Sequence, residues 1–307
     1  MSIPYTIVDV FTDTPFAGNP LAVVTVPSGV TLTYGQKLAI TKEFNLSETT
    51  FVHEPAGDSD ERKFDIFTPA AEIPFAGHPT IGTAAFLQSQ GIQKLIAKAG
   101  RIDVEKLDDG AFRAAIPHDV RLHEKRLPLP SMDLFPSEDL ARAEEGAPLF
   151  AIVNGMTFAL IELSSLELLS QVRFGAPELP SHLLDDGWNH GWVTRRYYYV
   201  RLGSTQSDSK ATHQIRARMV KLSMEDPATG SAACALASYL SLYNETGCSN
   251  SFKITQGVEM GRRSEIQVDT YVAEDERHGR NLQSVHLAGK AVLVMNGVIR
   301  SKPSAES

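Results

Sequence analysis

The stretch Met224–Ala237 combines residue types whose spacing suits the binding of an anion. Asp226 is followed by a Pro-Ala-Thr-Gly turn that ends at Gly230, and a run of small, helix-favouring residues begins at Ser231. Asp226 and Thr229 are residue types that occur at helix N-caps, and Gly230 lets a ligand approach the backbone closely. The first amides of such a helix lack intrahelical acceptors, and the helix dipole adds partial positive charge. We therefore expect a substrate carboxylate at this turn, with Gly230 and Ser231 among its binding residues.

A related stretch lies in the first half of the chain, at Phe75–Leu87. Both stretches contain an ionisable residue, a proline, Gly-Ser/Thr-Ala-Ala and an apolar helical pattern. Alignment of Pro79 with Pro227 puts His78 where the other copy has Asp226. Two such turns predict two related lobes whose helix N-termini face a shared cleft. Two ordinary helix starts are the alternative interpretation.

Glu48 is the best single candidate for proton transfer. Its neighbours Leu46, Thr50, Phe51 and Val52 form an apolar setting that would remove water from a carboxyl group and raise its pKa. A carboxyl group that titrates closer to neutrality can both accept and return a proton. The alternative is that Glu48 is a solvent-facing residue on an alternating strand.

Other catalytic chemistries find no support in the sequence. It has no GxSxG motif, GxGxxG motif or P-loop, and its nine histidines follow no metal-ligand spacing. The two cysteines, Cys234 and Cys248, match neither a disulfide framework nor a CxxC site. We therefore expect no cofactor and no metal.

Composition limits the class of partner. The chain has 307 residues, of which 42% are hydrophobic and 21% charged, so two globular domains are expected. The net charge of −8 argues against nucleic-acid binding. Because no signal peptide or long apolar run is recognisable, we expect no membrane association. The scarcity of cysteine favours a cytoplasmic location.

The chain mixes helical patterns with many strands and hairpins, which predicts an α+β fold rather than a doubly wound parallel sheet. A Pro-rich, charged segment at 118–136 is the candidate linker. The sequence predicts an N-terminal lobe at residues 1–122 and a C-terminal lobe at residues 123–307. In one version of this division the C-terminal strand also belongs to the N-terminal lobe. A hairpin turning at Asn296-Gly297 is expected in 291–300, and exposed mobile loops at 203–212 and 274–283.

Seven short motifs together resemble the PhzF family, the phenazine-biosynthesis-like isomerases of the diaminopimelate-epimerase fold. They run in family order over nearly the whole chain, so the combination is specific. The motifs are Phe11-Thr12, Phe16–Pro20, Leu46–Thr49, Phe67–Pro69, Glu72–Ala84, Glu225–Ala232 and Gln256-Gly257.

The resemblance implies two pseudo-symmetric lobes, each a mixed β-sheet wrapped around a central helix, with the active site between them and a homodimeric assembly. It implies that Glu48 is the catalytic glutamate of a cofactor-independent isomerase acting on a small carboxylated, possibly cyclic, metabolite. The family's other cleft residues fall on Gly77, His78, Asp226 and Ser231, and Asn19 matches a position that faces substrate in the wider fold.

The sequence also departs from the family pattern. The lead-in at 217–223 lacks the Phe-Ala-Pro of many members, and Arg263 replaces a common proline. These departures affect substrate shape, so the phenazine substrate itself is not carried over. A non-catalytic small-molecule-binding protein and a lyase or hydratase remain alternatives. A thiol-based racemase is disfavoured, because Cys234 lies about two helical turns beyond the expected position.

Overall fold

The computed structural model describes residues 2–300 except 56, 58, 176–178, 189–194, 208–209, 223 and 276–278, and only the backbone of Asp275. Its α-helices are α1 (Tyr34–Phe44), α2 (Gly77–Phe86), α3 (Glu138–Glu144), α4 (Leu166–Gln171) and α5 (Gly230–Tyr243). The strands of the N-terminal part are β1 (Ser2–Val10), β2 (Asn19–Val26), β3 (Thr49–His53), β4 (Glu61–Phe67), β5 (Glu72–Ile73), β6 (Lys94–Ala97), β7 (Gly100–Lys106) and β8 (Phe112–Ala115). The later strands are β9 (Arg121–Arg126), β10 (Pro148–Val153), β11 (Met156–Glu162), β12 (Arg195–Gln206), β13 (Ala211–Val220), β14 (Glu225–Asp226), β15 (Ser249–Gln256), β16 (Ser264–Asp275), β17 (Gly279–Gly289) and β18 (Ala291–Arg300). Short 3-10 turns cover Gln88–Gln90, Met132–Leu134 and Ser181–Leu183.

The chain divides into two units. The first contains residues up to 115 and residues from 288 onward, and the second contains 116–287. The boundary predicted from the sequence was 122/123, so the structural boundary falls slightly earlier. The last strand, β18, pairs antiparallel with β1, which includes it in the first unit.

Each unit repeats the same order of elements and strand pairings. In the first unit β2 runs parallel to β3 across α1, and β4 runs parallel to β6 across β5 and α2. In the second unit β11 runs parallel to β12 across α4, and β13 runs parallel to β15 across β14 and α5. The remaining matched pairs, such as β3–β4 and β12–β13, are antiparallel. Both units are therefore mixed sheets with one central helix, and the predicted α+β fold is confirmed.

Helix α2 is the central helix of the first unit. All of its residues except Phe86 are buried, and it packs against β1, β2, β3, β8 and β18. Small side chains make this close packing possible: a Cβ atom on Gly82 would lie 2.6 Å from Leu21 Cδ2 and 2.7 Å from Val10 Cγ2. Because the helix carries small and mostly apolar residues on all sides, it has no polar face to expose to solvent and is suited to its central, buried position.

Helix α5 is the central helix of the second unit and packs against β10, β11, β15 and β16. Arg280 binds the end of this helix and the turn after it, because its guanidinium donates to Ser241 O in the last helical turn and to Thr246 O and Gly247 O beyond the helix at 2.7–3.2 Å. The bonds to Ser241 O satisfy an acceptor that a helix end leaves without an intrahelical partner.

The predicted hairpin in 291–300 is wrong. β18 runs straight through Asn296 and Gly297, and Gly297 is paired with Tyr5 of β1. A Cβ atom on Gly297 would lie 2.8 Å from the ring and hydroxyl of Tyr5. The glycine therefore makes room for an aromatic ring across the strand pair instead of forming a turn.

The predicted loops and linker also contain regular structure. Residues 203–206 and 211–212 extend the antiparallel pair β12–β13, and residues 274–275 and 279–283 belong to β16 and β17. The tips, 208–209 and 276–278, lie outside the described residues. Within 118–136, β9 pairs with β10, so this segment contributes to the second unit's sheet. Polar composition misled the prediction because the exposed end of a long hairpin has the composition of a loop.

Candidate active site

Glu48 and His78 form the most direct pair among the predicted catalytic residues. Glu48 directly precedes β3, and His78 is the second residue of α2. Glu48 Oε2 lies 3.1 Å from His78 Nδ1, and the two side chains are 21% and 4% exposed. The alternative of a solvent-facing Glu48 on an alternating strand is therefore wrong, since the residue lies before the strand and is mostly buried.

Two polar atoms next to this pair lack hydrogen-bond partners among the described residues. They are Nε2 of His78 and Oγ1 of Thr49, and both are buried. Buried polar atoms in native proteins are nearly always hydrogen-bonded, so each such atom needs an explanation. Nδ1 of His78 faces the Glu48 carboxylate, so Nε2 is the ring nitrogen whose hydrogen bonding the described residues do not account for.

Asn19 lies at the same end of the sheet as Glu48. Asn19 begins β2, and the parallel register of β2 and β3 pairs Ala22 with Thr49. Ser47 Oγ lies 3.5 Å from Asn19 Oδ1, which joins the two segments. Asn19 is buried. The resemblance to the family had selected this residue, and its neighbourhood to Glu48 follows from the parallel crossover through α1.

The N-terminus of α2 carries no side-chain cap. Its N-cap is Ala76, and Gly77 and His78 supply the first amides of the helix. Pro79, the next residue, has no amide hydrogen and is well tolerated in the first turn of a helix. Gly77 and His78 therefore provide the amide donors of this first turn.

Asp226 belongs to a buried hydrogen-bond network. Thr229 Oγ1 donates to Asp226 Oδ2 at 2.7 Å. Gln256 Nε2 donates to the carbonyl oxygen of Asp226 at 2.8 Å, and Gln256 Oε1 accepts from the amide of Thr229 at 3.2 Å. The loop before α5 is thus held by a side chain from β15.

Gly230 and Ser231 are the first two residues of α5, as the sequence analysis expected. The N-cap is Thr229, but its hydroxyl binds Asp226 and makes no capping bond to the helix. Thr229 therefore holds the N-cap position without the capping function. The amides at this helix start remain suited to an anion.

The alignment of the two turns on their prolines is wrong. Pro79 lies inside the first turn of α2, whereas Pro227 precedes α5. The short strands β5 and β14 each begin five residues before their helix, so counting along these elements pairs Gly77 with Gly230 and His78 with Ser231. The same count pairs Asp226 with Ile73, which is not ionisable. Proline fits both places, so it was a poor marker of register.

The structure does not favour thiol chemistry at Cys234. Cys234 lies in the second turn of α5, and burial raises the pKa of its thiol well above the usual range. A thiol that stays protonated is a poor nucleophile or base. Among the described residues, no group of three or more His, Cys, Asp or Glu side chains could hold a metal ion. No described helix is long and apolar enough to cross a membrane.

The predicted site residues thus form two sets. Asn19, Glu48, Gly77 and His78 come together in the first unit, and Asp226, Gly230 and Ser231 in the second. That both sets serve one substrate stays a prediction. Gln256 belongs to one of the family-like motifs, but its place before Gly257 was the only sign in the sequence that it has a role.

Solved structures with related folds define the class. A PhzF-family phenazine biosynthesis protein of Bacillus anthracis has a TM-score of 0.75 at 19% identity, with 98% of this chain and 100% of that chain covered. A probable proline racemase of Agrobacterium radiobacter has a TM-score of 0.60 at 13% identity, with 98% and 94% covered. The fold is therefore that of the PhzF and proline racemase or diaminopimelate epimerase group, as expected from the sequence.

Sequence relatives narrow this class to a family. A protein of Mesorhizobium japonicum called an uncharacterized isomerase is 33% identical over 95% of this chain and 97% of its own length. The trans-2,3-dihydro-3-hydroxyanthranilate isomerase of Pseudomonas aeruginosa is 29% identical over 95% and 98%. The profile of the PhzC-PhzF family, phenazine biosynthesis-like protein, matches residues 8–297. The chain belongs to this family and is a PhzF-like isomerase.

Proposed function

We propose that this protein is a cofactor-independent isomerase that moves a proton between two carbons of a small carboxylated, possibly cyclic, metabolite. Glu48 is the general acid and base. The observation that carries the proposal is the 3.1 Å contact between Glu48 Oε2 and His78 Nδ1 in a largely buried setting. A carboxyl group and an imidazole at this distance can share one proton, which is what a reversible proton carrier needs.

The proton transfer balances without an oxidant or reductant. The Glu48 carboxylate removes a proton from a carbon next to a double bond, and the electron pair moves through the conjugated system. The protonated carboxyl group then returns the proton to a different carbon on the same face. His78 Nδ1–H donates to the carboxylate before the transfer, and Nε2 is available to bind the substrate.

Binding of the substrate carboxylate is assigned to the helix starts. Gly77 supplies an amide at the start of α2, and Gly230 and Ser231 supply amides at the start of α5. At neither helix does the N-cap side chain accept a hydrogen bond from these amides. Asn19 is proposed to hydrogen-bond the substrate beside Glu48. Asp226 is proposed to act as an anionic hydrogen-bond acceptor for a polar or cationic group of the substrate.

A ring compound with a carboxylate is the favoured substrate class. The Pseudomonas aeruginosa relative is named for trans-2,3-dihydro-3-hydroxyanthranilate, which makes cyclohexadiene carboxylates the first probes to use. Homodimeric assembly and a cytoplasmic location remain predictions from the family resemblance and the composition.

The test is isotope exchange in D₂O. The wild-type protein is incubated with trans-2,3-dihydro-3-hydroxyanthranilate and related cyclohexadiene carboxylates, and NMR follows deuterium incorporation and double-bond position. The proposal predicts a product with the same elemental composition as the substrate, apart from the deuterium incorporated. Loss of water would indicate a lyase, and gain of water a hydratase.

A non-catalytic binding protein is the second alternative, and calorimetry separates it from the isomerase. Tight binding of a probe that shows neither exchange nor isomerisation would contradict the proposed activity. The buried unpartnered Nε2 of His78 is compatible with either alternative, so binding alone does not decide between them.

A further inference from the structure

The amide of Gln256 is fully buried and all of its hydrogen-bonding directions are defined. Oε1 accepts from the Thr229 amide at 3.2 Å and from the Tyr197 hydroxyl at 3.1 Å. Nε2 donates to the Asp226 carbonyl at 2.8 Å and to Thr229 Oγ1 at 3.2 Å. A side-chain amide with four buried contacts fixes the groups around it.

The orientation of this amide is set by backbone groups. A peptide N–H can only donate and a peptide C=O can only accept, so the Thr229 amide must face Oε1 and the Asp226 carbonyl must face Nε2. Burial raises the pKa of Tyr197 well above its usual range, so its hydroxyl keeps its proton and donates to Oε1.

This orientation determines which way the Thr229 hydroxyl points. Because Gln256 Nε2 donates to Thr229 Oγ1, that oxygen acts as an acceptor there and its own hydrogen is directed to Asp226 Oδ2 at 2.7 Å. A directed chain of donors therefore runs from Tyr197 through Gln256 and Thr229 to the carboxylate. A carboxylate that accepts such a bond is stabilised in its ionised form.

The backbone beyond Gln256 locks this arrangement. Gly257 has φ +74°, and a Cβ atom there would lie 2.5 Å from the carbonyl oxygens of Pro227 and Arg262. The chain after β15 thus approaches the Asp-Pro turn as closely as backbone atoms allow. This explains why glycine follows the glutamine.

We infer that Gln256 is a positioning residue that holds Asp226 ionised and in one rotamer through Thr229. The role of Asp226 in catalysis rests on the function proposed above, whereas the hydrogen-bond chain does not. Under this inference Gln256 touches no substrate atom and acts on the reaction through Asp226 and the loop before α5 that carries it.

The experiment reads the ionisation of Asp226 directly. Protein labelled with ¹³C at aspartate carboxyl carbons is titrated by NMR, and the Asp226 signal is assigned by its loss in Asp226→Asn. In Gln256→Met, which keeps the length of the side chain without its amide, the titration midpoint is expected to rise by about one unit, a tenfold gain in proton affinity. Gln267→Met, on β16 with contacts to Asp269, is the matched control and leaves the Asp226 midpoint unchanged.

Tyr197→Phe provides a second test that keeps the amide in place. It removes only the distal donor, so a smaller rise of about twofold to threefold in proton affinity is expected. An unchanged Asp226 midpoint in a folded Gln256→Met protein overturns the inference. Should that variant fail to fold, an unchanged midpoint in Tyr197→Phe overturns it.

A kinetic readout separates this inference from the proposed function. If Asp226 serves catalysis, the acidic limb of the pH profile of kcat/KM moves upward in Gln256→Met together with the NMR midpoint. If Asp226→Asn retains full exchange activity, the catalytic role of Asp226 fails while the NMR titration still decides the role of Gln256.

Discussion

Replacement of Gly82 by alanine should disturb the candidate site by displacing helix α2, which carries His78. Gly82 lies in the middle of α2, and its missing side chain lets the helix approach β1 and β2. An added Cβ atom would meet Leu21 Cδ2 at 2.6 Å and Val10 Cγ2 at 2.7 Å, both in the core. Since ordinary contacts begin near 3.4 Å, the two side chains or the helix must move by about 0.7–0.8 Å.

The sign of the effect on stability follows from two opposing terms. Overpacking of a dense core costs about 1–3 kcal/mol. Alanine gains about 0.5–1 kcal/mol over glycine inside a helix. The difference of these two ranges is a fall of about 0–2.5 kcal/mol in the free energy of unfolding, with a central expectation of about 1 kcal/mol.

The same displacement should reduce activity. Helix α2 carries His78, which contacts Glu48 of a different segment at 3.1 Å. A misplacement of about 1 Å in a catalytic group can cost about 100-fold in rate. We therefore expect kcat/KM for the exchange reaction to fall by a factor of about 10 to 100.

Gly35→Ala is the matched control, because Gly35 lies in α1 and a Cβ atom there meets nothing within 4 Å. This variant should be as stable as wild type or up to about 1 kcal/mol more stable, with unchanged activity. Urea unfolding gives the stabilities, and hydrogen exchange of peptides from 77–87 localises the change to α2. A Gly82→Ala protein as stable and active as wild type would refute the packing argument.

Two further predictions concern titratable groups. Burial acts to raise the pKa of Asp65, but hydrogen bonds and charges from His53 and Lys37 outweigh it and hold the pKa at about 2. The two contacts should stabilise the fold by about 2 kcal/mol above pH 4, and this stabilisation should be lost as the pH falls to 2. Urea unfolding should therefore show a lower free energy of unfolding for Asp65→Asn than for wild type at pH 7, and nearly the same value for both proteins at pH 2. Iodoacetamide should alkylate exposed Cys248 in the folded protein and leave Cys234 unmodified until urea is added, because burial raises the pKa of the Cys234 thiol. Mass spectrometry of the peptides measures the labelling, and rapid labelling of Cys234 in the folded protein would contradict the prediction.

The sequence predicted the fold class and the members of each local motif well. Asp-Gly and Asn-Gly pairs are typical of tight turns, and at Asp109-Gly110 and Asn154-Gly155 the glycines have the positive φ values of +86° and +85° that such turns need. Helix starts at Gly77 and Gly230 were visible because small residues follow a turn. Such features depend on neighbouring residues, which a sequence displays directly.

Features that depend on distant residues could not be read in this way. The contact of Glu48 with His78 joins residues from two elements that no local pattern connects. Asn296-Gly297 looked like a turn because the ring of Tyr5, which requires the glycine, is far away in the chain. Gln256 had no visible role for the same reason, since its partners lie before α5.

The measurement that tests the central claim most directly is the rate of deuterium exchange in Glu48→Gln, with Glu43→Gln as control. Glu43 is an exposed residue of α1, so its replacement removes one carboxylate without touching the site. Loss of a general acid and base costs about 10²–10⁴-fold in rate, so we expect exchange in Glu48→Gln to fall by at least 100-fold while probe binding persists and Glu43→Gln matches wild type. Exchange in Glu48→Gln within a few fold of wild type would contradict the assignment of Glu48 as the proton carrier.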